Sequence, residues 1–252
     1  MTPESYVAMV DVTLRPLADT HAARSMRTYL LDQFEFLGIR APLRRQAMQA
    51  GTRYRWASPA ELLDVAQRLW DKPEREFRYT AIDLLGRHAR LLKMAHIPEI
   101  LRLLQRDAWW ETVDGLTAVI GQVMHAEFRS GVDVRSACDE WIKHPDYWVR
   151  RCAMLHQRGW RMDTDSERLF HYTEILSEEK EFFIRKAIGW ALRDYARWNP
   201  ECVRDFIEQN GARFSGLTVR EATRHLAVRA TFFANRLSTT RTDVSTHADL
   251  TW

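Results

Sequence analysis

Trp109-Trp110-Glu111-Thr112-Val113-Asp114 reads as the opening of a helix, in which Trp110 and Asp114, four residues apart, place an indole and a carboxylate on one face. The apolar–polar pair Val113-Asp114 recurs along the chain as Phe77-Arg78, Val149-Arg150, Ile184-Arg185 and Val219-Arg220. The five apolar members are spaced 36, 36, 35 and 35 residues apart. A period of about 35 residues holding two helices is the signature of an α-solenoid of the HEAT or armadillo kind. The slot after each apolar anchor holds arginine four times and an acid once, which singles out Asp114.

Helix signals surround this register and strand signals are nearly absent. Residues 5–17 and 21–34 are expected to form amphipathic helices, and Pro42 suits the first turn of a short one through Leu43-Arg44-Arg45-Gln46. Ser58-Pro59-Ala60-Glu61 combines an N-cap, a proline at the first helical position and a capping-box glutamate. Further helices are expected over 74–92, 97–106, 110–125, 131–143, 146–160, 166–176, 180–197, 200–209 and 218–233. Asn199-Pro200 and the pair Thr218/Glu221 supply start signals. The fold class is therefore all-α, an α-solenoid of about six HEAT-like repeats with a concave face. Residues 1–237 are expected as a single domain and 238–252 as a polar, disordered tail.

With 46% hydrophobic and 28% charged residues over 252 positions, the composition is that of a soluble globular protein. No apolar run approaches the ~20 residues of a membrane span, and the N-terminus lacks the features of a signal peptide. Cys138, Cys152 and Cys202 have no metal-type spacing, so a reducing cytoplasm is the natural assignment. The net charge is only +3, but arginine makes up nearly all of the 37 basic residues, lysine occurring only at 72, 93, 143, 180 and 186. Arginine suits bidentate phosphate contacts; a codon bias would produce the same richness.

Side chains in one slot of successive repeats line up along one surface. Arg78, Arg150, Arg185 and Arg220 would form a basic ladder suited to duplex DNA, interrupted by Asp114. The plainer reading of each arginine is a tie between neighbouring helices. Trp110, Asp114, Arg151 and Trp190 sit in adjacent repeats and are expected on one patch. Ten tryptophans in the chain mean that most are core, and an Asp–Arg pair is often structural. Together the four suit cleavage of the N-glycosidic bond of an alkylated purine. Alkylation at N3 or N7 makes the base a good leaving group, so the oxocarbenium-like sugar is what needs stabilising. Asp114 would stabilise that cation and orient water, the two indoles would hold the sugar, and Arg151 would grip a phosphate. There is no HExxH, Walker, GxSxG or GxGxxG motif, and the nine histidines form no metal set, so neither metal nor cofactor is expected.

At these residues the sequence resembles the bacterial AlkD family of DNA alkylation repair glycosylases, over roughly residues 20–230. The resemblance is carried by Phe36-Leu37-Gly38-Ile39, Pro42 and Arg44-Arg45-Gln46, Glu74-Arg75-Glu76-Phe77, WWETVD at 109–114, Trp148-Val149-Arg150-Arg151, KEFFIRKAIGWALRDYA at 180–196 and Asn199-Pro200. It implies excision of cationic N3- and N7-alkylpurines from duplex DNA without base flipping. It places the catalytic carboxylate on Asp114, the two tryptophans on Trp110 and Trp190, the phosphate contact on Arg151 and a further aromatic on Tyr29. It implies duplex DNA with alkylated purines as partner; the cysteines point to a cytoplasmic location, and a solenoid with capped ends is expected as a monomer. Three alternatives stand beside it: a self-resistance glycosylase for bulky natural-product adducts, a catalytically silent DNA-binding solenoid, and a protein scaffold.

Overall fold

The structure, a computed structural model, describes residues 1–226. The second half of the helix expected over 218–233, the domain limit at 237 and the tail 238–252 lie outside the described residues. Among those residues the regular structure is helical, apart from one isolated bridge between Glu35 and Glu74. The helices are α1 (Pro3–Leu14), α2 (Thr20–Tyr29), α3 (Ala41–Ala47), α4 (Pro59–Trp70), α5 (Arg75–Arg87), α6 (Ile97–Gln105), α7 (Trp110–Arg129), α8 (Arg135–Trp141), α9 (Tyr147–Leu155), α10 (Ser166–Ile175), α11 (Phe182–Ala196), α12 (Pro200–Asn210) and α13 (Gly216–Thr223).

They form two compact units, one spanning Met1–Trp160 and one beginning at Arg161. In the first, α4–α5, α6–α7 and α8–α9 are successive helix pairs, and their second members α5, α7 and α9 pack side by side. In the second, α11 packs against α10, α12 and α13. This is the all-α repeat architecture that the 35-residue register calls for. The anchors Phe77, Val113, Val149, Ile184 and Val219 are all buried, so the register is the core side of the second helix of each pair. Gly121 permits an unusually close approach in this row: a Cβ there would lie 2.3 Å from the carbonyl oxygen of His156, immediately beyond α9.

Local chemistry explains the helix starts. Ser58 Oγ accepts the Glu61 amide at 3.2 Å, while Glu61 reaches back to the Ala57 amide at 3.2 Å. Asn199 accepts the Cys202 amide at 3.2 Å ahead of Pro200. Several boundaries differ from expectation: the helices expected over 74–92 and 146–160 end early, at Arg87 and Leu155, that over 110–125 runs on to Arg129, and that over 131–143 starts only at Arg135. Two further differences have a clear local cause. The helix expected over 21–34 ends at Tyr29, because Leu31 and Asp32 take left-handed φ values of 59° and 56° and the chain turns back on itself. The start of α13 is capped by Ser215, whose Oγ accepts the Thr218 amide at 3.0 Å, so Thr218 and Glu221 do not form a capping box.

Between α2 and α3 one carboxylate gathers three consecutive backbone amides. The buried Glu76 side chain accepts the backbone amides of Leu37, Gly38 and Ile39 at 3.0, 2.8 and 3.0 Å. Gly38 has φ of 87°, and a Cβ on it would overlap the Asp19 carbonyl, so no other residue fits this clasp.

Candidate active site

Helix α7 opens at Trp110, with Glu111 in its first turn where a carboxylate complements the positive helix end. Val113, Leu116, Ile120 and Val123 turn to the core, which leaves Trp110 and Asp114 half-buried on the flank toward α9 and α2. Helix α9 is capped by Asp146, which accepts the Trp148 amide at 2.9 Å, and its core face brings Arg151 against α7.

There Arg151 meets Asp114 in a fork. Nε donates to Oδ1 and Nη2 to Oδ2, each at 2.8 Å. The arginine side chain is 1% exposed and that of the aspartate 20%, so the guanidinium is interior and only the carboxylate reaches solvent. Two parallel charge-assisted bonds fix the carboxylate plane. Beneath the pair, burial and, secondarily, the Asp114 charge push the Cys152 thiol up to about 12. A thiol shifted in that direction is protonated at neutral pH.

Tyr29, the last residue of α2, packs edge-on against Trp110 with ring centroids 6.2 Å apart at 88°. Its phenol is pushed upward by burial and by the charge of Glu111. Glu111 is in turn bolted to α5. The fully buried Arg75 donates Nε to Glu111 Oε1 at 2.8 Å, Nη1 to the Asp107 carbonyl at 3.0 Å and Nη2 to Thr112 Oγ1 at 3.1 Å. Tyr79 adds a bond to the same Oε1 at 3.3 Å, and the guanidinium of Arg44 stands 5.6 Å from the Tyr79 ring centroid. The first turn of α7 is therefore held from behind by a network that leaves Trp110 facing Tyr29.

The arginine ladder is not uniform. Arg78 is buried, with one nitrogen on Asp107 at 2.7 Å. Arg150 donates to the carbonyls of His144 and Pro145 at 2.7 and 2.9 Å, and Arg185 to the carbonyl of Glu179 at 2.8 Å; each closes the loop ahead of its own helix. Arg220 is exposed. Trp190 belongs to the second unit. Its Nε1 donates to Glu221 Oε2 at 2.9 Å, Arg193 donates to the same oxygen at 2.8 Å, and Lys186 Nζ stands 5.5 Å from its ring centroid. The structure thus pairs Asp114 with Arg151 and Trp110 with Tyr29. It also shows partners that sequence reasoning missed: Glu221 and Lys186 around Trp190, and Arg75 and Glu111 behind Trp110. A signal existed, since Arg151, Lys186 and Glu221 all lie two residues beyond their repeat anchors.

Among the described residues no group of three or more His, Cys, Asp or Glu could hold a metal ion, and no helix is long and apolar enough to cross a membrane. Residues 10–226 match the family described as DNA alkylation repair enzyme. Comparison with curated proteins finds no match. Among solved structures, a predicted DNA alkylation repair enzyme from Enterococcus faecalis superposes with a TM-score of 0.76 at 26% identity, covering 83% of this chain and 97% of that one. AlkD2 from Streptococcus mutans gives 0.63 at 16% identity, covering 90% and 100%. The smu.31 protein of Streptococcus mutans UA159 gives 0.56 at 18% identity, covering 82% and 98%. The two streptococcal structures share the fold.

Proposed function

Because this chain belongs to the DNA alkylation repair enzyme family, we propose that it is a monofunctional DNA glycosylase, hydrolysing the N-glycosidic bond of cationic N3- and N7-alkylated purines in duplex DNA without base flipping. The observation that carries this reading is the half-buried Asp114 carboxylate, locked by the buried Arg151 one helical turn beyond Trp110. A fixed anion open to one side is what a sugar cation requires, since its orientation costs nothing at the moment of reaction.

In the proposed reaction the C1′–N bond breaks and its electron pair flows into the purine, cancelling the ring's positive charge. Asp114 faces the oxocarbenium-like sugar and orients water, which adds to C1′ and gives up a proton to the carboxylate and then to solvent. The products are neutral alkylpurine and an abasic site. Trp110, set by Tyr29, offers a π-face worth ~0.5–2 kcal/mol to the cation. Arg151 acts as a positioning residue for Asp114 in place of a phosphate contact.

The test is release of free base from duplexes carrying 7-methylguanine, 3-methyladenine or a bulky N3-adenine adduct, wild type against Asp114→Asn. Wild type should release methylated base, and the variant should lose about 10²–10³-fold. The variant should also melt earlier, by about 1–3 kcal/mol of stability, because one donor of Arg151 then faces an amide; its fold is checked by circular dichroism. Normal turnover by the variant would remove the carboxylate from the mechanism. No release by wild type, with salt-sensitive DNA binding intact, would leave a silent binding module. No strand cleavage and no borohydride-trapped adduct are expected.

A further inference from the structure

The turn after α2 is the one place where two consecutive non-glycine residues, Leu31 at φ 59° and Asp32 at φ 56°, occupy the left-handed region among the described residues. Aspartate tolerates that region; a leucine does so only at a cost that glycine or asparagine would avoid. The turn is held there by the Leu31 amide on the Thr28 carbonyl at 3.0 Å and the Asp32 amide on the Arg27 carbonyl at 2.8 Å. Arg27 also draws the turn's two carboxylates onto itself, Asp32 at 3.8 Å and Glu35 at 3.1 Å.

The strain secures no burial. Leu30 is 2% exposed, whereas Leu31 is 69% exposed, so a costly backbone conformation holds an apolar side chain out in water. It does so two residues from Tyr29, whose ring rests on Trp110, the residue that shares a helix face with Asp114. Strained backbone conformations cluster at active sites and ligand clamps. What this one would meet follows from the proposed reaction. The C1′–H of a nucleotide still in the duplex lines the minor groove, and apolar side chains placed there pack on sugars and wedge between base steps.

We propose that Leu31 is an apolar DNA contact, entering the minor groove beside the alkylated nucleotide and holding the duplex against the Trp110–Asp114 face. This rests on the glycosylase reading. No group is transferred; Leu31 adds contact area and registers the sugar opposite Asp114.

The test uses the full chain with Leu31→Gly, Leu31→Asn and Leu31→Met. It measures affinity for a duplex bearing a tetrahydrofuran abasic analogue, base release from 7-methylguanine duplex, and melting temperature. The glycine and asparagine variants relieve the left-handed strain and should melt no lower than wild type. They should bind the duplex roughly tenfold more weakly, the weight of one partly buried leucine. The salt slope should not change, since no phosphate contact is lost, and methionine should restore most of the affinity. A merely structural role would give the reverse pattern, a change in melting with none in binding. Affinity within twofold of wild type for both the glycine and asparagine variants overturns the proposal. If wild type releases no base, the glycosylase reading fails while the binding comparison still decides whether Leu31 touches DNA.

Discussion

Arg151 reaches both oxygens of Asp114 from the interior of the first unit, at 2.8 Å each, and the sequence spacing of 37 residues makes this a contact between neighbouring helix pairs. The acid that breaks the arginine register is thus answered by an arginine two residues beyond the next anchor. The carboxylate proposed for the chemistry is thus also a structural tie between neighbouring helices.

Arg151→Lys keeps the charge but replaces the fork with one ammonium. Base release should fall about tenfold, with affinity for duplex DNA and its salt dependence preserved. Titrating binding against salt separates the two roles: a slope reduced by about one would mark Arg151 as a phosphate contact instead.

Arg78 and Arg220 occupy equivalent slots but opposite environments, one buried on Asp107 and one exposed. Arg78→Ala should lower stability by about 1–2 kcal/mol and leave the salt slope alone. Arg220→Ala should leave the melting temperature unchanged and reduce the slope by about 0.9. Paired denaturation and salt-titration curves check both.

Gly121→Ala should move α7 away from the end of α9, because its Cβ would meet the His156 carbonyl at 2.3 Å. The cost in stability should be about 1–3 kcal/mol. Asp114 and Arg151 ride on these two helices, so base release should fall more steeply than folding alone accounts for. Activity measured well below the melting temperature makes the comparison.

Stability should decline as pH rises above 9. Burial pushes the Cys152 thiol and the Tyr6 phenol each up to about 12. Between their ordinary values of 9 and 10 and that level, the unfolded chain sheds protons that the folded one keeps, so alkali favours unfolding. Urea midpoints at pH 8, 9.5 and 10.5 should fall in that order, and Cys152→Ala should flatten the first part of the trend.

Much of this was legible because the anchors Phe77, Val113, Val149, Ile184 and Val219 are core residues, and core positions must repeat when helix pairs stack. Ser58-Pro59 and Asn199-Pro200 announced their helices through backbone chemistry confined to a few residues. The end of α2 was illegible because a left-handed turn is normally marked by glycine or asparagine, and here leucine and aspartate stand in their place. Ser215 was overlooked because Thr218 and Glu221 match a capping box, while Glu221 in fact serves the Trp190 indole in the neighbouring helix. Arg151 was legible as a partner for an anion. Whether that anion was a phosphate or a carboxylate depended on burial, which spacing alone does not encode.

The grip of Glu76 on Leu37, Gly38 and Ile39 has a bearing on how the chain is made. The carboxylate lies 37 to 39 residues downstream of the amides it holds. During synthesis, then, the first forty or so residues leave the ribosome without the group that sets their path. They can form α1 and α2 as local helices, yet the segment leading into α3 has to wait until α5 emerges. The N-terminal region that carries Tyr29 and Leu31 is thus born early and finished late, ordered by a part of the chain translated after it.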